Sequence, residues 1–352
     1  KTEWKSKLEM ERILIEIGYD TIKSGIIGEF SPRSIRQTPK VLKSIQRVRK
    51  KNKQKIGCSL KRQEEYELIQ QFKHILIDDL YIDISTITSN HNSEKPSLVL
   101  LFNYDTSKFV IQTIKQLLTK HLYIDDIRVD TTQLTGIWVS GTHTGLVIDI
   151  GYEECRIVPL YCGYVYDAKV KFVSNGSFTV MNQLLNEKDL SLDDIELHRP
   201  KLLEHLSCRL LRLYNVSTIH LLPIPSKKES KTIEEDSFKE LLKTEIRLSD
   251  KNLPFEAFFK QDVHVDRCHH FIHSLVSLIQ SLPSESRSHI LSNIVWMGGL
   301  SDISGFRQRV YKELHNCIVQ DHPSLIPLLS HVATTHHPYS GHQTGWVGAS
   351  LI

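Results

Sequence analysis

Two short stretches place an acid just ahead of a glycine turn. Leu14-Ile15-Glu16-Ile17-Gly18-Tyr19-Asp20 is matched by Val147-Ile148-Asp149-Ile150-Gly151-Tyr152-Glu153. Each is an apolar run, an acid, an apolar residue, a glycine, a tyrosine and a second acid. A glycine turn closing a buried strand can aim backbone N–H groups at a phosphate. Two ordinary β-hairpins would give the same pattern. The self-similarity itself points to a duplicated unit, not a short repeat array. A third apolar run, Asn293-Ile294-Val295-Trp296-Met297, ends in Gly298-Gly299.

Other chemistry-bearing residues are weaker candidates. His264, Cys268, His269, His270 and His273 have tempting spacing for a metal. At 100° per residue, however, His264 and Cys268 point to a different helix face from His269 and His273, so one tetrahedral zinc site is not expected. No spacing supports a Ser/His/Asp or Cys/His triad.

The elements around these residues alternate between strand and helix. Glu64 to Leu80 carries Tyr66, Ile69, Phe72, Ile75 and Leu76 at helical spacing. Leu98 to Phe102 is a short buried strand, and residues 107–122 form an amphipathic helix with Ile111, Ile114, Leu117, Leu118 and Leu122 on one face. Residues 266–282 form a strong helix, and a further helix from about Gly305 stacks Phe306, Val310 and Leu314. Lys23 to Glu29 reads as a second hairpin arm with a bulge-prone glycine. Gly345-Trp346-Val347-Gly348-Ala349 begins a last element. The alternation predicts an α/β class with buried, largely parallel sheets.

With 352 residues the chain is long enough for two domains with real cores. A net charge of +3 does not indicate direct nucleic-acid binding, and no apolar run reaches the roughly 18 residues of a membrane span. Six scattered cysteines without a CxxC pair fit free thiols. Residues 40–62 hold ten Lys or Arg and no acid. That run predicts a solvated loop, with a docking surface for an acidic partner or a nuclear import signal as the functional alternatives. Met10 could be the original start, with residues 1–9 an extension.

The order and spacing of four segments resemble the actin family. The first repeat through Lys23, Gly25, Gly28, Pro32 and Arg33 is similar to actin's first phosphate hairpin. Thr144 to Asp149, continuing through Val158-Pro159 and Gly163-Tyr164, is similar to the second. Asn293 to Arg309 resembles the segment whose paired glycines lie under the adenosine, and Trp346-Val347-Gly348-Ala349-Ser350 completes the series. The resemblance implies the actin/Hsp70/hexokinase-type duplicated ATPase fold, with two α/β domains flanking a central cleft. The implied small domain covers 10–139, includes a divergent basic region at 34–62 and is completed by 331–352. The implied large domain covers 140–330. The family's last helices would follow Ser350, which implies a truncated chain or a shortened end.

The implied nucleotide positions are Glu16, Gly18, Tyr19, Lys23, Asp149, Gly151, Gly298 and Gly299. Several depart from the family's pattern. Tyr19 and Asp20 stand where a small hydroxyl residue and a glycine are expected, and Tyr152 and Glu153 replace an Asp and a Gly. Thr132 takes the place of the water-orienting Gln, with Gln133 beside it, and Arg156 takes that of a His. Ser207, Cys208 and His342 replace residues that hold the base and ribose. Hydrolysis is not expected. No resident cofactor is expected either, the alternative being ATP or ADP bound without turnover, and Tyr19 and Tyr152 are expected to fill part of an empty cleft.

Within the family, Gly151-Tyr152-Glu153-Glu154, Phe72 to Leu76 and Leu278 to Gly299 are most similar to the pointed-end actin-related subfamily of the dynactin complex. This implies a cytoplasmic, cytoskeletal hetero-oligomer that supports dynein-based transport on microtubules. Its implied partners are an actin-related filament subunit and the other pointed-end subunits. Two alternatives stay open: a nuclear actin-related subunit of a chromatin-remodelling complex, and an ATP-binding filament former.

Overall fold

A computed structural model of the chain describes residues 12–51, 62–82, 97–180, 259, 271–302, 306–335 and 337–351. The structural statements below concern these residues.

The first sheet has five strands in the order β3-β2-β1-β4-β5. Its members are β1 (Arg12–Ile17), β2 (Thr21–Ile26), β3 (Ser34–Gln37), β4 (Ser97–Phe102) and β5 (Ile127–Thr131). The β1–β2 and β2–β3 pairs are antiparallel, whereas β1–β4 and β4–β5 are parallel. The second sheet runs β10-β6-β7-β8, with β9 also paired to β7. It comprises β6 (Gly145–Ile150), β7 (Cys155–Tyr161), β8 (Tyr164–Val165), β9 (Lys171–Val173) and β10 (Ile294–Met297). Here β6–β7 is antiparallel and β6–β10 parallel. Both sheets are therefore mixed, which corrects the expectation of largely parallel ones. Each repeat segment supplies a central strand that turns back on itself, and connections as short as residues 18–20 and 151–154 cannot join parallel neighbours.

The same construction occurs twice. Each central strand pairs antiparallel with the strand after it and parallel with a later one. Both central strands are buried on both faces, which explains their near-continuous apolar runs. Ile13, Ile15 and Ile17 pack into one cluster with α2 (Arg62–His74) and α3 (Lys108–Leu122) through Phe72, Ile114 and Leu118. Leu14 faces the other way, onto Trp346 of the short helix α8 (Thr344–Ser350). Correspondingly, Leu146, Ile148 and Ile150 pack against α5 (Phe271–Ser281), α6 (Ser284–Leu291) and α7 (Phe306–Asp321). Val147 faces a smaller cluster with Ile137 and Met297, where Ile137 belongs to α4 (Thr132–Trp138). Fully burying each such side chain contributes roughly 1.5–3 kcal/mol.

Local signals explain the helix ends. Ser107 caps α3, its Oγ accepting from Val110 N–H at 3.4 Å. Tyr123 ends that helix in the left-handed region, with φ at 56°. On α7 the expected stripe of Phe306, Val310 and Leu314 is buried and continues to Ile318.

Three expectations need correction. The basic run is not a loop at its start, because α1 spans Lys40–Lys51 and turns Leu42 into the first core beside Val41 and Ile45. Tyr66 does not join the buried stripe of its helix and is 62% exposed. Gly25 makes no bulge. It keeps register opposite Leu14, and a Cβ there would stand 2.6 Å from the Trp346 ring.

No helix among the described residues is long and apolar enough to cross a membrane. Cys155, Cys162 and Cys317 are free thiols.

Candidate functional site

The two glycine turns are built alike. Gly18 N–H donates to Thr21 O at 2.9 Å, and Gly151 N–H donates to Glu154 O at 3.0 Å. Gly18 is sterically required, and Gly151 sits in a tight but less restrictive place. A Cβ on Gly18 would lie 2.8 Å from Thr21 O, and one on Gly151 would lie 3.0 Å from Arg156 Nη1. Two residues before each glycine, on the face away from the larger cluster, stand the acids Glu16 and Asp149.

Each acid has a cation directly across its hairpin. Glu16 registers with Lys23, and Asp149 registers with Arg156. Lys23 Nζ donates to Glu16 Oε1 at 2.5 Å, with both side chains at least 90% buried. Glu16 Oε2 has no hydrogen-bond partner among the described residues. Arg156 approaches Asp149 Oδ2 at 3.6 Å and holds Asp105 Oδ1 at 2.6 Å and Glu154 Oε1 at 2.8 Å. Burial pulls the Arg156 guanidinium down, but Asp105, Asp149 and Glu154 more than offset it and raise its pKa above the ordinary value. The neighbouring Cys155 thiol is pushed well up by burial and by Asp149.

The spacing of these pairs could have been found in the sequence. An acid and a cation lie seven residues apart across Gly-Tyr-acid in both stretches, Glu16 to Lys23 and Asp149 to Arg156.

Tyrosines occupy the ground between the turns. The Tyr19 and Tyr152 rings stack with centroids 5.9 Å apart and 16° between planes. Tyr152 also leans on Phe178 at 5.4 Å. Asp20 is held by Lys43 of α1 at 3.3 Å, and the same ammonium lies 5.9 Å from the Tyr152 centroid. A phosphate chain passing between the turns would have to displace the ring stack. Among the described residues it would also meet Glu16, Asp20, Asp105, Asp149 and Glu154, whose paired cations are Lys23, Lys43 and Arg156.

Gln133, at the start of α4, is fully buried. Its Nε2 donates to Asp149 Oδ2 at 2.6 Å and to Asn103 Oδ1 at 3.3 Å, while its Oε1 accepts from Tyr104 N–H at 2.8 Å. Every strong site on this amide except one lone pair is engaged inside the protein. Thr132 Oγ1 has no partner among the described residues. Next to Asn103, Tyr104 O–H donates to Asp167 Oδ1 at 2.6 Å. Burial, and then that bond, push the Tyr104 phenol up to about 12.

Gly298 and Gly299 play different parts. Gly298 has φ at +86°, and a Cβ there would stand 2.0 Å from Ile150 O, so this glycine lets β10 close onto the end of β6. Gly299 faces open space. His342 lies 3.8 Å from Asp302, whose two oxygens accept from Gly341 N–H.

Ser207 and Cys208 lie outside the described residues, as do His264, Cys268, His269 and His270 of the histidine cluster. No group of three or more metal-ligating side chains is arranged to hold a metal ion among the described residues.

No family model matches the chain. It is similar to Actin-related protein 10 of Dictyostelium discoideum, with 23% identity over 247 residues, 59% of this chain and 52% of that protein. It is also similar to Actin-related protein 7 of Arabidopsis thaliana, with 22% identity over 255 residues, 70% of this chain and 65% of that protein. The match thus spans about half of the first relative and under two thirds of the second. The similarity to two actin-related proteins accompanies a mixed α/β architecture with two sheets of like construction.

Proposed function

We propose that the chain is a non-catalytic structural subunit of the actin-related type, with a nucleotide cleft that has lost its chemistry. The observation that carries this reading is the Tyr19–Tyr152 stack between two turns whose acids already have their own cations. Phosphoryl transfer needs small donors around the phosphates, a carboxylate free to serve the metal's waters and a group that orients the attacking water. Here bulky rings stand at the donor positions. Asp149 is shared by Arg156 and Gln133, and the Gln133 amide is engaged by Asp149, Asn103 and Tyr104.

The place of such a subunit follows from how actin-like filaments grow. Head-to-tail contacts are heterologous and continue until a unit lacks the matching surface. We assign this chain to the pointed end of dynactin's actin-like filament. One face docks on the last filament subunit, and the opposite face, built partly from residues 34–62, binds the other pointed-end subunits and stops growth. Partial matches at Gly151-Tyr152-Glu153-Glu154, Phe72 to Leu76 and Leu278 to Gly299 support this assignment. It places the chain in the cytoplasm and in dynein-based transport.

The second reading, a nuclear subunit of a chromatin-remodelling complex, is favoured by the basic run alone. Affinity purification of the tagged chain separates the two. Dynactin subunits at stoichiometric yield support the first assignment, and remodeller ATPases in their place overturn it.

A further inference from the structure

Side chains cross between the two sheets at several points, and each crossing uses different chemistry. Tyr19 of the first turn stacks on Tyr152 of the second. Lys43 joins Asp20 on its own side to the face of the Tyr152 ring on the other. Arg156 of β7 reaches Asp105, in the loop after β4, through its Nε at 2.6 Å. Tyr104, from that same loop, reaches Asp167 beyond β8. Gln133, which follows β5, donates to Asp149 at the end of β6.

We propose that these contacts form a ligand-independent clasp, which holds the two sheets in one relative position with neither a nucleotide nor a divalent cation between the turns. Arg156 is its centre. The residue is 4% exposed and gathers Asp105, Asp149 and Glu154, which would repel one another without it. A guanidinium suits this position because its planar fork offers five donors and it keeps its charge when buried. Lys23 does the equivalent for Glu16 in the first turn. The physical consequence concerns regulation. Where a diffusible ligand bridges two bodies, closure follows that ligand's concentration. Where side chains bridge them, closure is a constant of the fold and the surface offered to a partner does not change with nucleotide supply.

Residue-resolved hydrogen exchange on the full chain tests the clasp. The informative amides are those of Gly151, bonded within the second turn, of Ser177 and Phe178, which donate to Gly151 O and Tyr152 O of that turn, and of Gly18, bonded within the first. Two mild substitutions on the first sheet's side are compared with the parent. Lys43→Met keeps the stem and removes the charge, while Tyr104→Phe removes a single oxygen. The clasp predicts that Lys43→Met speeds exchange at Gly151, Ser177 and Phe178, on the opposite sheet, by about tenfold, and that Tyr104→Phe speeds Val170, whose N–H is bonded to Asp167 O, by a similar factor. It also predicts parent exchange that is the same in Mg-ATP and in EDTA. Effects confined to the substituted side, or slower exchange of both turns in Mg-ATP, would overturn it. The outcome is separable from the functional assignment. Phosphate release would remove the non-catalytic reading, whereas the clasp stands or falls on exchange across the sheets.

Discussion

Arg156 stands across the β6–β7 ladder from Asp149, as Lys23 stands across the β1–β2 ladder from Glu16. The two hairpins therefore repeat not only a turn but also a buried acid and the cation that answers it. In the second hairpin the cation is shared by three carboxylates, so it carries more of the structure. Arg156→Ala is expected to lower stability by about 3–5 kcal/mol, because it leaves buried carboxylates uncompensated. Arg156→Lys should cost less, having the charge without the fork. Denaturant unfolding of both variants checks the order, and equal losses would mean that the ion pairs contribute little.

Gly298 and Gly299 should respond differently to the same change. Gly298→Ala forces a Cβ against Ile150 O from a positive φ and is expected to cost about 3 kcal/mol or more. Gly299→Ala meets nothing within 4 Å and should stay within about 0.5 kcal/mol of the parent. Thermal unfolding of the pair decides this.

Much of this was legible in the sequence, for local reasons. The acid–Gly–Tyr–acid stretches mark both turns because a Cβ on Gly18 would collide with Thr21 O and one on Gly151 would crowd Glu154 O. The face of α7 could be read from Phe306, Val310 and Leu314 because a helix on a core must present such a stripe. Helix α1 was hidden by its charge, although Val41, Leu42 and Ile45 are all it needs to pack. Tyr66 shares the helical spacing of Ile69 and Phe72 yet is exposed, because spacing alone does not say how far the core extends along a helix face. The links from Gln133 to Asp149 and from Arg156 to Asp105 join segments 16 and 51 residues apart and leave no local pattern.

The edge strand β3 is tied down by acid–base chemistry. Arg36 grips both oxygens of Asp79, and Ser34 adds a bond at 2.8 Å. The Arg36 bond holds the Asp79 carboxyl below its ordinary value of 3.8, against the opposing effect of burial. A depressed folded pKa means stability that is present above the unfolded value and lost as pH falls through the folded one. Asp79→Asn should therefore be less stable than the parent at neutral pH, with the gap closing as pH drops below about 4. A gap that is constant with pH, measured by urea unfolding, would contradict the assignment.

Reversing charge at Arg49, Lys50 and Lys51, at the end of α1, tests the basic run. The account expects weaker association with pointed-end subunits and an unchanged far-ultraviolet circular dichroism spectrum. Normal assembly in a reconstitution would leave the basic run without a part in docking.

The central claim is that the two turns no longer serve a nucleotide because Tyr19 and Tyr152 fill the ground between them and Asp20 adds charge there. The most direct measurement is equilibrium binding of labelled ATP with magnesium, run beside phosphate release, for the parent and for Tyr19→Ser with Asp20→Gly. The account predicts no turnover in either and an ATP affinity at least about tenfold higher in the double variant, about 1.4 kcal/mol. Stoichiometric binding with steady phosphate release by the parent, or an affinity that the double substitution leaves unchanged, would contradict it.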